Sequence, residues 1–276
     1  MNISLRKFFR LGALLATLVV FQSPVTHAAG EEVKLGVQTW TLRNLNFDQV
    51  VEFCVKHKIK YLEVIGNHMD PKAPIQETAR KKAILEKNGL VVYSFGVAGT
   101  SSNKEEDRKL FEFAKYMGIK VIIIEPGDFK TLDHIEELVK EYDIKVAIHN
   151  HGIKSNYGNP GVVRNLLQHR DQRIGVCLDT GWITSARFDA ATVYNEYKGR
   201  VYDIHLKDKK VHATENGDVA TDTFVGEGST NLKALFKVLK ESGYPGVLAI
   251  ETDNNLKDPT EHMTKAIQFV AENYPK

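Results

Sequence analysis

Five apolar runs of the chain deliver an ionisable side chain at or near their C-terminal end. Residues 120–125 end on Glu125, 145–150 carry His149, 174–179 end on Asp179, 202–206 carry His205 and 246–251 end on Glu251. Each group alone reads as a hydrogen-bonded loop anchor. An ionised group at the end of a buried run is costly unless it is paired. Five of them at successive run ends point to a divalent cation, which offsets carboxylate repulsion and accepts imidazole nitrogen as well. The mixed donor set suits one Mn²⁺, Co²⁺, Zn²⁺ or Fe²⁺ ion better than Mg²⁺, which prefers oxygen.

The elements that must position these groups follow one repeated phrase. Short β-rich runs occupy 34–41, 60–65, 90–95, 120–125, 145–150, 174–179, 202–206 and 246–251. Amphipathic stretches lie between and after them, at 47–58, 73–89, 104–118, 128–142, 160–170, 189–197, 231–243 and 258–274. In the first, Phe47, Val50, Val51 and Cys54 form an i, i+3, i+4, i+7 stripe. Strands alternating with helices imply parallel βαβ units, and continuous apolar strands imply burial on both faces. Eight units match a single closed (β/α)8 TIM barrel, with an open doubly wound sheet as the alternative. In such a barrel the active site lies at the C-terminal strand ends, where the five groups fall. Residues 208–229 are polar and glycine-containing and read as a long functional loop.

The N-terminus is built differently. Arg6, Lys7 and Arg10 precede an 11-residue apolar run at 11–21, and small residues follow at Ala28 and Ala29. This is the pattern of a cleavable signal peptide at 1–29, with the barrel domain at 30–276 and a periplasmic or secreted location. The run is short for a membrane span, so no stable membrane insertion is expected after cleavage. Cleavage removes three basic residues and takes the formal charge from +2 to −1. A near-neutral domain has no basic footprint for nucleic acid. Cys54 and Cys177 are expected as buried free thiols; a disulfide would need their Cα atoms within roughly 7 Å.

The motifs "VAIHNHG", "GVCLDTGW", "IHLKD", "GEG" and "VLAIETD", in this order, resemble the xylose isomerase-like TIM-barrel superfamily, and within it the sugar phosphate isomerase/epimerase group. The resemblance runs from Val33 to the C-terminus. It implies a metal held from strands five to eight, usually by Glu, Asp, His and Glu. By position these are His149, Asp179, His205 and Glu251. His149 departs from the usual Glu, and Trp182 stands where an Asp-x-x-His motif would place histidine.

Glu125 is then either a fifth ligand or an acid/base group, a function Glu251 could share. His151, two residues beyond His149, shares its strand face and reads as a proton carrier or substrate contact. Lys207 bears the same relation to His205 and suits developing negative charge. Trp40, His68 and Trp182 are candidate substrate contacts, and Gln38 and Glu63 fall near the same rim. Glu227, within "GEG", reads as a solvated turn.

This constellation suits metal-assisted proton abstraction next to a carbonyl, as in a sugar isomerase or epimerase. The chain has no glycine-rich phosphate cradle or Arg cluster, so the expected substrate is an unphosphorylated keto-sugar or keto-glycoside. β-Elimination from a 3-keto-glycoside uses the same enolate. An endonuclease IV-like phosphodiesterase or a non-catalytic sugar-binding barrel would share the fold. Against the phosphodiesterase, residues 92–99 contain no histidine and Trp182 replaces another.

Overall fold

The computed structural model describes residues 33–275, apart from 198 and 216. The signal peptide expected at 1–29 lies outside the described residues. Eight parallel strands form a closed barrel: β1 (Lys34–Gln38), β2 (Tyr61–Val64), β3 (Val91–Ala98), β4 (Val121–Ile124), β5 (Lys145–His149), β6 (Ile174–Asp179), β7 (Val201–Leu206) and β10 (Val247–Ile250). β1 pairs with β10, from Lys34 opposite Val247 to Val37 opposite Ile250. This closure excludes the open doubly wound sheet. Among the described residues, no helix is long and apolar enough to cross a membrane.

The helices are α1 (Phe47–Lys56), α2 (Ile75–Lys87), α3 (Lys104–Met117), α4 (Thr131–Tyr142), α5 (Pro160–Leu167), α6 (Thr180–Ser185), α7 (Ala190–Glu196), α8 (Leu232–Ser242) and α9 (Thr260–Asn273). Local chemistry sets their ends. Asn46 and Gln49 form a reciprocal capping box at α1, whose buried face carries Val50, Val51, Phe53 and Cys54. α8 starts at the Asn231 cap and stops at Gly243, which takes a left-handed φ of 63°.

Alternation along the strands divides two packing layers. Ile122, Ile124, Val146, Ile148, Val176, Leu178, Ile204 and Ile250 join the large core that includes the helices. Val121, Ile123, Ala147 and Cys177 form a second cluster, on the barrel's inner face. Glu125, His149, Asp179 and Glu251 continue that second parity. Register then aligns the strand ends: Asp179 lies opposite His205, and His205 lies opposite Ala249, two residues before Glu251. Cys54 and Cys177 are both buried and free.

Residues 208–229 correct the expectation of one long loop. They contain an antiparallel hairpin, β8 (Asp208–Thr214) and β9 (Gly217–Thr223), which packs against α6. Its sequence carries few large apolar residues, and most of it faces water, so apolar content alone does not reveal it. Beyond the hairpin, the Asp208 carboxylate accepts backbone N–H bonds from Gly226, Gly228 and Thr230 and folds the "GEG" turn around itself. Glu227 is exposed there, 3.9 Å from Lys265.

Candidate metal centre and active site

His149, Asp179, His205 and Glu251 converge within the mouth of the barrel, each buried and each offering a ligand atom within 4.8 Å of the others. His149 Nε2 lies 3.1 Å from His205 Nδ1 and 3.5 Å from Asp179 Oδ2. His205 Nδ1 lies 2.9 Å from Glu251 Oε2. Asp179 is held from two sides. Its backbone N–H donates to Asn150 Oδ1 at 3.1 Å, and its Oδ1 caps α6 by accepting the Trp182 N–H at 2.8 Å.

The free atoms test the fit to a cation. Asp179 Oδ2 and Glu251 Oε2 are buried without an aligned hydrogen bond. The Lys207 ammonium, 3.1 Å from each, and imidazole nitrogens stand near them. Two such oxygens facing two imidazole nitrogens are a donor set for a borderline divalent ion, and the four residues fit it. Burial alone would lower the Lys207 pKa, yet Asp179, Glu251 and Asp253 hold it well above its ordinary value. Carboxylates on three sides thus favour the ammonium form of Lys207. A Cβ at Gly181 would lie 2.8 Å from its Cγ, so the glycine of "DTGW" makes room for the lysine stem.

Glu125 stands on the far side of His149. Its Oε2 is 3.6 Å from His149 Nδ1 and makes a short contact with His151 Nδ1. Burial would raise the Glu125 carboxyl; the neighbouring imidazoles of His151 and His149 outweigh it and hold the pKa at about 2. The His151 side chain is 47% exposed, and that of Glu125 is 20% exposed. Thus a buried four-residue cluster and an open carboxylate–imidazole pair share one ring.

The profile of the xylose isomerase-like TIM-barrel family matches residues 51–273. The chain belongs to this family. The inosose dehydratase of Clostridium perfringens is 26% identical to it over 87% of this chain and 97% of its own length. A crystal structure of a D-tagatose 3-epimerase-like protein is 19% identical, covers 87% of this chain and 99% of its own, and superposes with a TM-score of 0.69. The IOLI protein, crystallised with a bound zinc atom, is 16% identical over 88% of this chain and 98% of its own, with a TM-score of 0.68. At these identities the two crystal structures share the fold.

The remaining expected residues occupy different parts of this xylose isomerase-like barrel. Trp182, on α6, lies beside the open pair: its ring centroid is 5.8 Å from that of His151, and Lys209 Nζ sits 3.9 Å over it. A Cβ at Gly152 would come within 2.9 Å of the indole, so the ring packs on the "NHG" backbone. Trp40 is an exposed rim residue covered by the Arg43 guanidinium at 4.5 Å. Arg43 also donates to the Asp253 carbonyl, which brings Trp40 toward the segment after Glu251. His68 is buried; its Nε2 meets the Leu45 carbonyl at 3.0 Å, a loop-holding contact.

Sequence reasoning did not assign roles to Glu63, Gln38, Lys209, Asp222 and Asp253. Glu63 Oε2 meets His205 Nε2 at 2.8 Å, and Gln38 Nε2 donates to Glu63 Oε1 at 2.7 Å. Burial pushes the Glu63 carboxyl up, partly opposed by His205. Asp253 accepts from Lys207 at 3.0 Å and from Lys209 at 3.2 Å. Asp222 pairs with Lys209 and accepts the Asp253 backbone N–H, tying the hairpin to the rim. For Asp253 a signal existed: it follows Glu251 by two residues, as Lys207 follows His205.

Proposed function

We propose that the chain is a divalent-metal-dependent enzyme that removes the proton next to a carbonyl of an unphosphorylated keto-sugar or keto-glycoside. The observation that carries this reading is the pairing of a buried cation-type donor set with an open carboxylate–imidazole dyad beside it. His149, Asp179, His205 and Glu251 would hold the ion. Bound there, it supplies the Lewis acidity that lowers the cost of an enolate.

The remaining steps belong to side chains. Glu125 engages His151 Nδ1 and leaves Nε2 to take the carbon-bound proton. The Lys207 ammonium, already opposite two carboxylates, donates to the oxygen that gains charge. Trp182 offers an apolar face for the ring. Returning the proton to the neighbouring carbon isomerises the sugar; returning it to the opposite face epimerises it.

A second reading, β-elimination, is favoured by the dehydratase relative. A dehydratase removes water, and from a polyhydroxy ketone this proceeds through the same enolate. The N-terminal pattern supports a periplasmic or secreted enzyme, a compartment poor in sugar phosphates. The test is incubation with a panel of keto-sugars and 3-keto-glycosides in D₂O with Mn²⁺, Co²⁺ or Zn²⁺. Deuterium at the carbon next to the carbonyl supports the proposal, and the product separates isomer, epimer and alkene. A metal-loaded protein that exchanges no proton on any member overturns it.

A further inference from the structure

Gln38 on β1 and Glu63 on β2 lie across the barrel mouth from His205 on β7, and all three are buried. Their hydrogen bonds form a chain whose direction can be read. The Trp40 backbone N–H donates to Gln38 Oε1 at 2.8 Å. A backbone N–H only donates, so this contact fixes which end of the Gln38 amide is oxygen. The other end donates to Glu63 Oε1 at 2.7 Å and to the Gly96 carbonyl at 3.0 Å. Glu63 is left as an acceptor on Oε1, with Oε2 facing His205 Nε2 at 2.8 Å. Carboxylates face both nitrogens of His205, Glu63 at Nε2 and Glu251 at Nδ1 at 2.9 Å, so the proton is directed to Nε2 when a cation takes the Nδ1 side. The lone pair would then lie on Nδ1, the nitrogen that faces His149, Asp179 and Glu251, where the four-residue set would hold the cation.

We propose that the Trp40 N–H, Gln38 and Glu63 form a positioning relay that locks His205 in its Nε2–H tautomer and so makes Nδ1 a cation ligand. The inference rests on the metal-centre reading above. Neither side chain lies in the four-residue donor set. Their effect on the centre passes through His205, whose orientation and basicity such a carboxylate sets.

The test needs no substrate. Zn²⁺ affinity of the full chain is measured by competition with a chromophoric chelator, and ¹⁵N shifts report the His205 tautomer. Glu63→Gln is nearly isosteric, but an amide has one accepting end. It cannot accept from both Gln38 Nε2–H and His205 Nε2–H. Affinity is expected to fall roughly 10–100-fold, with a mixed tautomer. The double variant Gln38→Glu/Glu63→Gln reverses the middle bond. The new carboxylate accepts from the Trp40 N–H and from the new amide, whose oxygen is free to take the His205 Nε2–H. This variant is expected to recover most of the affinity and the wild-type tautomer, although the Gly96 carbonyl loses its donor.

Wild-type affinity in Glu63→Gln overturns the relay, as does a folded double variant that binds as weakly as the single one. Should Glu63→Gln not fold, the double variant alone decides, by near-wild-type or weakened affinity. A wild-type protein that binds no divalent ion removes both the relay and the metal-centre reading. Binding that is indifferent to residue 63 removes the relay only.

Discussion

The buried cluster and the open pair meet at His149 but differ in what water can do to them. His149, Asp179, His205 and Glu251 are almost wholly enclosed, and two of their carboxylate oxygens lack aligned partners. Such a group cannot shed or gain charge cheaply, so a fixed ion is its natural complement. Glu125 and His151 sit at the edge, hydrogen-bonded to each other, with His151 half exposed. A proton can enter and leave there. Burial thus separates holding a cation from moving a proton within a single constellation.

The strongest way to break this division is at Asp179. Asp179→Asn retains an oxygen for the Trp182 N–H and so keeps the α6 cap, yet it removes the ligand charge. Metal occupancy should fall to background by elemental analysis, while the metal-free protein still folds, with a midpoint lowered because the buried Lys207 ammonium loses one of its carboxylate partners. Asp179→Ala should lose the cap as well, about 1 kcal/mol, visible in chemical denaturation. Full occupancy in either variant would dissolve the distinction between the two regions.

The next largest effect is expected at the open pair. His151→Asn should lower turnover roughly 10²–10⁴-fold with metal content unchanged; parallel loss of metal would make His151 a ligand instead. A smaller effect lies in acid stability. Glu125 has its folded pKa depressed from 4.5 to about 2 despite the opposing effect of burial. Its contribution is therefore present above about pH 4.5 and is lost as pH falls toward 2. Metal-free Glu125→Gln should show a flatter stability profile across that window, measured by urea unfolding; an unchanged slope would mean the pair does not hold Glu125 ionised. The smallest effect is expected at Trp182. Trp182→Phe keeps an aromatic face but weakens the Lys209 contact, so KM should rise a few-fold with kcat nearly unchanged. A large kcat loss would move Trp182 into the proton-transfer machinery.

Much of this was legible because the barrel writes itself in continuous apolar runs. Residues 121–124 "VIII" and 247–250 "VLAI" are buried throughout, and the polar residue that ends each such run marks the rim. The hairpin was not legible from apolar content, although Asn216-Gly217 between alternating Val211, Ala213 and Val219 is a turn signal. The short α6 was also missed, although Asp179 before "TGW" is a cap residue at a strand end. Glu63 and Gln38 could be placed near the rim, but their link to His205 spans the barrel. That contact depends on strand stagger, which no local pattern encodes.

Anomalous diffraction at the zinc edge, from crystals of the full chain loaded with Zn²⁺, tests the division most directly. One strong peak is expected at about 2.0–2.2 Å from His149 Nε2, Asp179 Oδ2, His205 Nδ1 and Glu251 Oε2, with Glu125 and His151 metal-free. A peak held by Glu125, His149 Nδ1 and His151, with the buried four left empty, would contradict it.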